Sequence, residues 1–248
     1  MSPFGCSSWR SRLPFGLLSL HHDRPEIAWL RDQMRLGRAM PLQNRVDPYG
    51  VIFRSPARGT LMGNRGGALH NDKREIVRQF KSRRWIACLL EFKGRKRSVM
   101  SPGRYTELFF LDEAVAFAAG HRPCAECRWE RFKAFQAACN GREKPHSSEP
   151  ILAPEIDAEL HRARIDRQGR KLTYETDLDS LPNGCFVQIG GSAYLVWGDD
   201  VLLWTPERYA KKDRRPNGLT VTVLTPRPIV QCFRRGYEPK IHVSARAA

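Results

Sequence analysis

Apolar positions fall into short clusters separated by polar, glycine-rich stretches. Residues 1–40 carry Ser, Pro and Arg without a period. Their one apolar piece, Leu13–Leu20, is short for a signal core, and His21, His22 and Asp23 follow it instead of a small-residue cleavage pattern. This segment reads as an N-terminal extension, disordered or outside the true start, with Met34 and Met40 as alternative starts. From Pro41 to about Lys81, glycines at 50, 59, 63, 66 and 67 predict a loop-rich region. The run Gly63-Asn64-Arg65-Gly66-Gly67 lacks P-loop and dinucleotide spacing, so it reads as a tight turn needing positive φ.

Trp85–Phe92 is a continuous apolar run with aromatic ends, the pattern of a buried strand, and Tyr105–Phe110 reads as another. Asp112 or Glu113 opens an Ala-rich helix through Ala119 that Gly120 stops. Trp129, Phe132, Phe135 and Ala138 recur at helical spacing to about Cys139, an aromatic stripe that reads as core. Residues 141–154 are polar and Pro-containing, with a linker at 146–153. A short helix over Glu155–Ile165 precedes four β-like runs, Cys185–Ile189, Ala193–Trp197, Val201–Trp204 and Thr220–Leu224. Gly190-Gly191 and Gly198-Asp199-Asp200 punctuate the first three as turns, and Ile229–Arg235 ends the pattern as a short helix.

Composition changes this picture in one respect. Hydrophobic residues make up 41% and charged residues 27%, which is ordinary for a globular chain, and no stretch approaches the roughly 20 apolar residues of a membrane helix. The net charge is +16, however, and it is clustered. Between Arg54 and Arg104 stand fourteen basic residues against Asp72, Glu75 and Glu91, a local +11. Arg83-Arg84 and Lys93-Gly94-Arg95-Lys96-Arg97 flank the Trp85–Phe92 run, so both basic groups emerge at the ends of one strand. A concentration of this kind points to an anionic partner, because phosphate contacts add through released counterions.

The seven cysteines, at 6, 88, 124, 127, 139, 185 and 232, are odd in number and sparse, which argues for a reducing cytoplasm over a disulfide framework. Cys124-Ala125-Glu126-Cys127 has the spacing with which two thiolates grip one zinc. Its surroundings, Phe109-Phe110 through the Ala-rich helix to Gly120-His121-Arg122-Pro123-Cys124-Ala125-Glu126-Cys127-Arg128, resemble the second half of the metal-binding domain of Ada-type bacterial alkylation-response proteins. The likeness covers about 25 residues, roughly a tenth of the chain. It implies a zinc-stabilised DNA-binding module with Cys124 and Cys127 as the second ligand pair. The first pair of that family, which includes its methyl-accepting cysteine, would fall on Gly94–Ser101, where there is no Cys or His. Methyl-phosphotriester repair is therefore not expected. Cys88 reads as a buried, inert thiol, although Cys88, His121, Cys139 or His70 is available to complete a zinc site.

The fold expected is α+β: a small zinc-knuckle-like module of a short sheet plus two helices on 41–145, then a small antiparallel β-rich domain on 154–248. The function expected is binding of DNA or RNA through phosphate contacts from Arg83, Arg84, Lys93, Arg95, Lys96, Arg97 and Arg128, without membrane association. Two alternatives stand beside it: a metal-dependent nuclease or DNA-repair enzyme, and a module that docks an acidic protein. No catalytic constellation is visible. Glu159 and His161 point to different sides of a helix, and His70-Asn71-Asp72 has no second histidine at metal-binding spacing.

Overall fold

The computed structural model describes residues 40–95, 98–140 and 150–247. Residues 1–39 of the N-terminal extension, Lys96, Arg97 and half of the expected linker, residues 146–149, fall outside these residues. Among the described residues the fold is α+β, with two six-stranded sheets and four helices. The first sheet is built from β1 (Gln43–Val46), β2 (Ile52–Arg54), β3 (Leu61–Asn64), β4 (Ile86–Cys88), β5 (Leu108–Phe110) and β6 (Arg122–Pro123), in the order β2-β1-β5-β3-β4-β6. It is mixed: β1 runs parallel to β5, and β4 parallel to β6. Helix α1 (Glu113–Ala118) follows β5, and α2 (Trp129–Asn140) follows β6.

After α3 (Ala153–Arg164) come β7 (Tyr174–Asp177), β8 (Phe186–Ile189), β9 (Ser192–Trp197), β10 (Asp200–Trp204), β11 (Tyr209–Arg214) and β12 (Thr220–Val223), then α4 (Arg227–Arg234). These strands form an antiparallel sheet in the order β11-β10-β9-β8-β12-β7. No helix among the described residues is long and apolar enough to cross a membrane.

The two sheets share their interior. One core joins Leu108 and Phe110 of the first sheet to Phe186, Leu195 and Leu202 of the second. The other packs Phe117, Phe132 and Phe135 against Val187, Val196, Val223 and Phe233. Residues 146–153 thus separate two sheets along the chain, while the packing crosses between them. Two neighbouring acids on α1 reinforce that joint. Asp112 caps the helix by accepting from the Val115 amide (2.9 Å), and it also accepts from the Tyr209 hydroxyl (2.7 Å) and the His242 amide (2.9 Å). Glu113 accepts from Arg128, Arg131, the Tyr237 hydroxyl and the Lys240 amide.

Several expectations are corrected here. The loop-rich region 41–81 holds β1 to β3, which are only three or four residues long and so show little periodicity. The Trp85–Phe92 run is a strand over Ile86–Cys88 alone; Leu89 and Leu90 are exposed, and the chain turns through positive φ at Lys93 and Gly94. Trp129 of the aromatic stripe is 51% exposed, whereas Phe132 and Phe135 are buried as expected. The glycine run does turn with positive φ, at Gly66 and Gly67.

Candidate metal centre and basic surface

Strand register builds the site. β4 and β6 pair in parallel with Ile86 opposite Arg122 and Ala87 opposite Pro123, and the Cys124 amide donates to the Ala87 carbonyl at 2.9 Å. Cys88 at the end of β4 is thereby brought beside Cys124 at the end of β6. The chain then turns from Cys124 into α2, with the Arg128 amide returning to the Cys124 carbonyl (3.2 Å), and this turn carries Cys127 back toward the other two. The sulfurs of Cys88, Cys124 and Cys127 all lie within 4.8 Å of one another. Two metal–sulfur bonds of about 2.3 Å set sulfurs roughly 3.8 Å apart in a tetrahedral site, so this group could hold a metal ion.

Hydrogen bonding concentrates negative charge on one sulfur of the cluster. Two backbone amides aim at sulfur: Leu89 N at Cys127 Sγ and Glu126 N at Cys124 Sγ, both at 3.4 Å. Hydrogen bonds from Cys127 and Cys88, with the amides of Cys127 and Glu126, hold the Cys124 thiol well below its ordinary range. Cys88 and Cys127 are pushed up, chiefly because each serves as donor to Cys124. One negative charge forms readily, and further ones need a positive partner, a proton or a metal ion.

The cluster opens onto a cavity of about 510 Å³ on the face of the sheet turned away from the core. Met62, Asn64, Ile86, Glu107 and Phe109 line it, alternating with the inward-facing Gly63, Ala87 and Leu108. Glu107 is buried there. Its Oε2 accepts from the Met100 amide (2.8 Å), and its Oε1 has no partner among the described residues.

The other ligand candidates are engaged elsewhere. His70 bonds Thr106 Oγ1 and the Ser101 carbonyl, His121 accepts from Arg65, and Cys139 contacts Cys232. Cys88 is the member of the cluster that the sequence pattern presents as inert. Its position at the end of a strand flanked by basic residues is the available signal, and only pairing with β6 gives it meaning.

Of the expected phosphate contacts, Arg83, Arg84 and Lys93 are exposed. Arg95 is exposed too, and its Nη2 pairs with Glu126 Oε1 at 2.8 Å, which sets the basic turn beside the cysteine knuckle. Arg128 is a correction. It is 6% exposed, and its guanidinium is held by Glu113 Oε1 at 2.5 Å, out of reach of a phosphate. Lys96 and Arg97 lie outside the described residues.

No protein-family model matches the sequence, and no curated protein or solved structure matches the chain.

Proposed function

We propose that this chain is a cytoplasmic nucleic-acid-binding protein whose basic surface is organised by a zinc ion on Cys88, Cys124 and Cys127. The observation that carries the reading is the three-sulfur cluster, with the Arg95–Glu126 pair joining it to the basic turn. Three thiolates form a soft donor set that favours zinc over hard oxygen-seeking cations. An exposed ion pair such as Arg95–Glu126 is worth only about 0–1 kcal/mol, so Arg95 exchanges Glu126 for a phosphate at little cost. Arg83, Arg84 and Lys93 extend the contact along the backbone of DNA or RNA. The Ada-type resemblance supports the same reading, with Cys88 now beside the pair Cys124 and Cys127.

Elemental analysis of freshly purified protein tests the metal: one zinc per chain is expected, lost in Cys88→Ser and in the Cys124→Ser/Cys127→Ser double variant. Filter binding across salt tests the partner. Affinity that does not fall between low and physiological ionic strength overturns nucleic-acid binding.

A second reading has its own observation. Three protein ligands leave a fourth position, and the cavity beside it contains the unpartnered Glu107 Oε1. In metal hydrolases such a position takes a water that a nearby carboxylate helps to deprotonate. Strand cleavage that is abolished by chelator and by Glu107→Gln, with zinc content unchanged in that variant, selects this reading over simple binding.

A further inference from the structure

A cluster of opposite sign stands at the other end of β4. Trp85, immediately before the strand, is buried, and the guanidinium carbons of Arg65 and Arg164 lie 4.1 and 3.9 Å from its ring centroid. Both arginines are 1% exposed. Among the described residues their hydrogen bonds run to neutral groups. Arg65 donates to the carbonyls of Gly50 (2.8 Å) and Gln79 (3.3 Å) and to His121 Nε2 (3.4 Å). Arg164 donates to the carbonyls of Gly120 (2.9 Å) and Arg83 (2.6 Å), meets His161 Nδ1 at 3.0 Å, and keeps a buried Nε with no partner. Lys171 turns its ammonium inward onto the Ala118 carbonyl at 2.6 Å.

Among the described residues no carboxylate comes within 4.0 Å of these three cations. Asp47 acts on Arg65 and Lys171 from farther off, and Asp157, the acid acting on Arg164, is already gripped by Arg122. Carbonyls orient a guanidinium without cancelling its charge. Burial pulls Arg65 and Arg164 down to about 9 and Lys171 to about 7, and Arg65 adds repulsion on both Arg164 and Lys171. Removing cations from water without a counterion is costly, and an anion among them offsets that cost.

Arg65, Trp85, Arg164 and Lys171, with Tyr49 and Phe80, line a cavity of about 240 Å³. Clefts for drug-sized ligands run from about 300 to 1,000 Å³, so this one suits a charged group with part of what carries it. We propose that the cavity is an anion site for a phosphate monoester and, resting on the nucleic-acid reading above, that it holds the terminal phosphate of a strand. A monoester carries about −1.5 to −2 charge near neutral pH. Three cations facing one distant Asp47 match that charge better than the single charge of an internal diester. Arg65 and Arg164, their Nη atoms held by carbonyls, contribute charge rather than a bidentate grip, and Lys171 adds a point charge. Phe80 offers an apolar wall to the sugar, and Arg83 and Arg84, exposed just before Trp85, continue the basic track outward.

The test uses the full chain at constant ionic strength, titrated calorimetrically with inorganic phosphate and then with one oligonucleotide in 5′-phosphorylated and 5′-hydroxyl forms. Saturable phosphate binding is expected. Lys171→Met should weaken it by about tenfold or more, while Lys171→Arg should retain it. The 5′-phosphorylated strand should bind about tenfold or more tighter than its 5′-hydroxyl twin. Absence of saturable phosphate binding to the unaltered protein overturns the site without recourse to any variant. Binding that a folded Lys171→Met protein keeps in full overturns its location. Phosphate binding abolished in Lys171→Met, with neither oligonucleotide bound, supports the anion site and overturns the nucleic-acid reading alone. Equal affinity for the two oligonucleotides overturns the strand-end assignment.

Discussion

Arg122 and Asp157 form a buried ion pair beside the cysteine knuckle. Arg122 lies in β6, two residues before Cys124, and Asp157 lies on α3. Nε meets Oδ1 and Nη2 meets Oδ2, each at 2.8 Å, with the side chains only 4% and 8% exposed. The Arg122 guanidinium also lies 5.2 Å from the Phe132 ring centroid, so its surroundings are largely apolar. Asp157→Leu removes the carboxylate and strands a buried charge that keeps only the Pro123 carbonyl as a partner (3.0 Å). Breaking one side of such a pair costs about 3–5 kcal/mol, a third or more of the stability of a typical domain. Arg122→Met/Asp157→Leu removes both charges and fills the space with apolar atoms, so it should recover most of that loss. Arg95→Ala serves as the exposed comparison: its pair with Glu126 is 49% and 56% exposed and should cost no more than about 1 kcal/mol. Urea midpoints at unchanged slope read these differences. A single variant that costs less than about 1 kcal/mol, or a double variant worse than the single, refutes the reasoning.

The pH dependence of stability should carry the signature of Glu113. Burial works to raise its carboxyl, but the charges of Arg128 and Arg131, with the Lys240 amide and the Tyr237 hydroxyl, outweigh burial and hold it below its ordinary value of 4.5. Its contribution is therefore complete above about 4.5 and is lost as pH falls through the lower folded value; Glu113→Gln should lower stability at neutral pH and flatten the acid limb of a denaturation series. Replacing Arg83, Arg84 and Lys93 together by Ala should weaken nucleic-acid binding evenly across sequences and reduce the salt slope by about 0.9 for each phosphate no longer neutralised; an unchanged slope places the binding surface elsewhere. Gly120→Ala should destabilise by about 1–2 kcal/mol or more, because φ is +83° and a Cβ would stand 2.6 Å from Arg164 Cδ. That variant should also weaken phosphate binding, whereas Gly218→Ala, with a similar φ and open space, should leave it unchanged.

Periodicity exposed the helices well. Asp112 caps α1, α2 runs over Trp129–Asn140, and α3 and α4 lie within two residues of the positions expected. The β-runs of the second half are β8, β9, β10 and β12. The strands without a visible signal were β7 and β11, the two edges of that sheet. Their sequences, Tyr-Glu-Thr-Asp and Tyr-Ala-Lys-Lys-Asp-Arg, are polar because an edge must resist pairing with other chains, and that polarity removes the hydrophobic alternation. At the candidate sites, local spacing disclosed Cys124 and Cys127. Arg65 stands too far in sequence from Arg164 and Lys171 for any window to join it to them. Arg128 was misread for a related reason: charge counts do not register that Glu113, fifteen residues earlier, faces it across the interior.

β4 carries part of both candidate sites. Trp85 and Cys88 are three residues apart, roughly 10 Å along an extended strand, and they belong to the proposed anion cavity and to the three-cysteine cluster respectively. Between them Ala87 turns into the core while Ile86 and Cys88 face the open side. The metal site is therefore specified by register: a shift of one residue would send the thiol to the wrong face. Exchanging neighbours, Cys88→Leu/Leu89→Cys, tests this with composition unchanged. Leu89 is exposed, and its amide already serves Cys127 Sγ, so a sulfur there leaves the cluster while the Cys124–Cys127 pair stays intact. The exchanged protein should stay folded and lose its metal by elemental analysis. If it retained one metal per chain, the knuckle alone would be the binding unit, and the pairing of β4 with β6 would have no part in building the site.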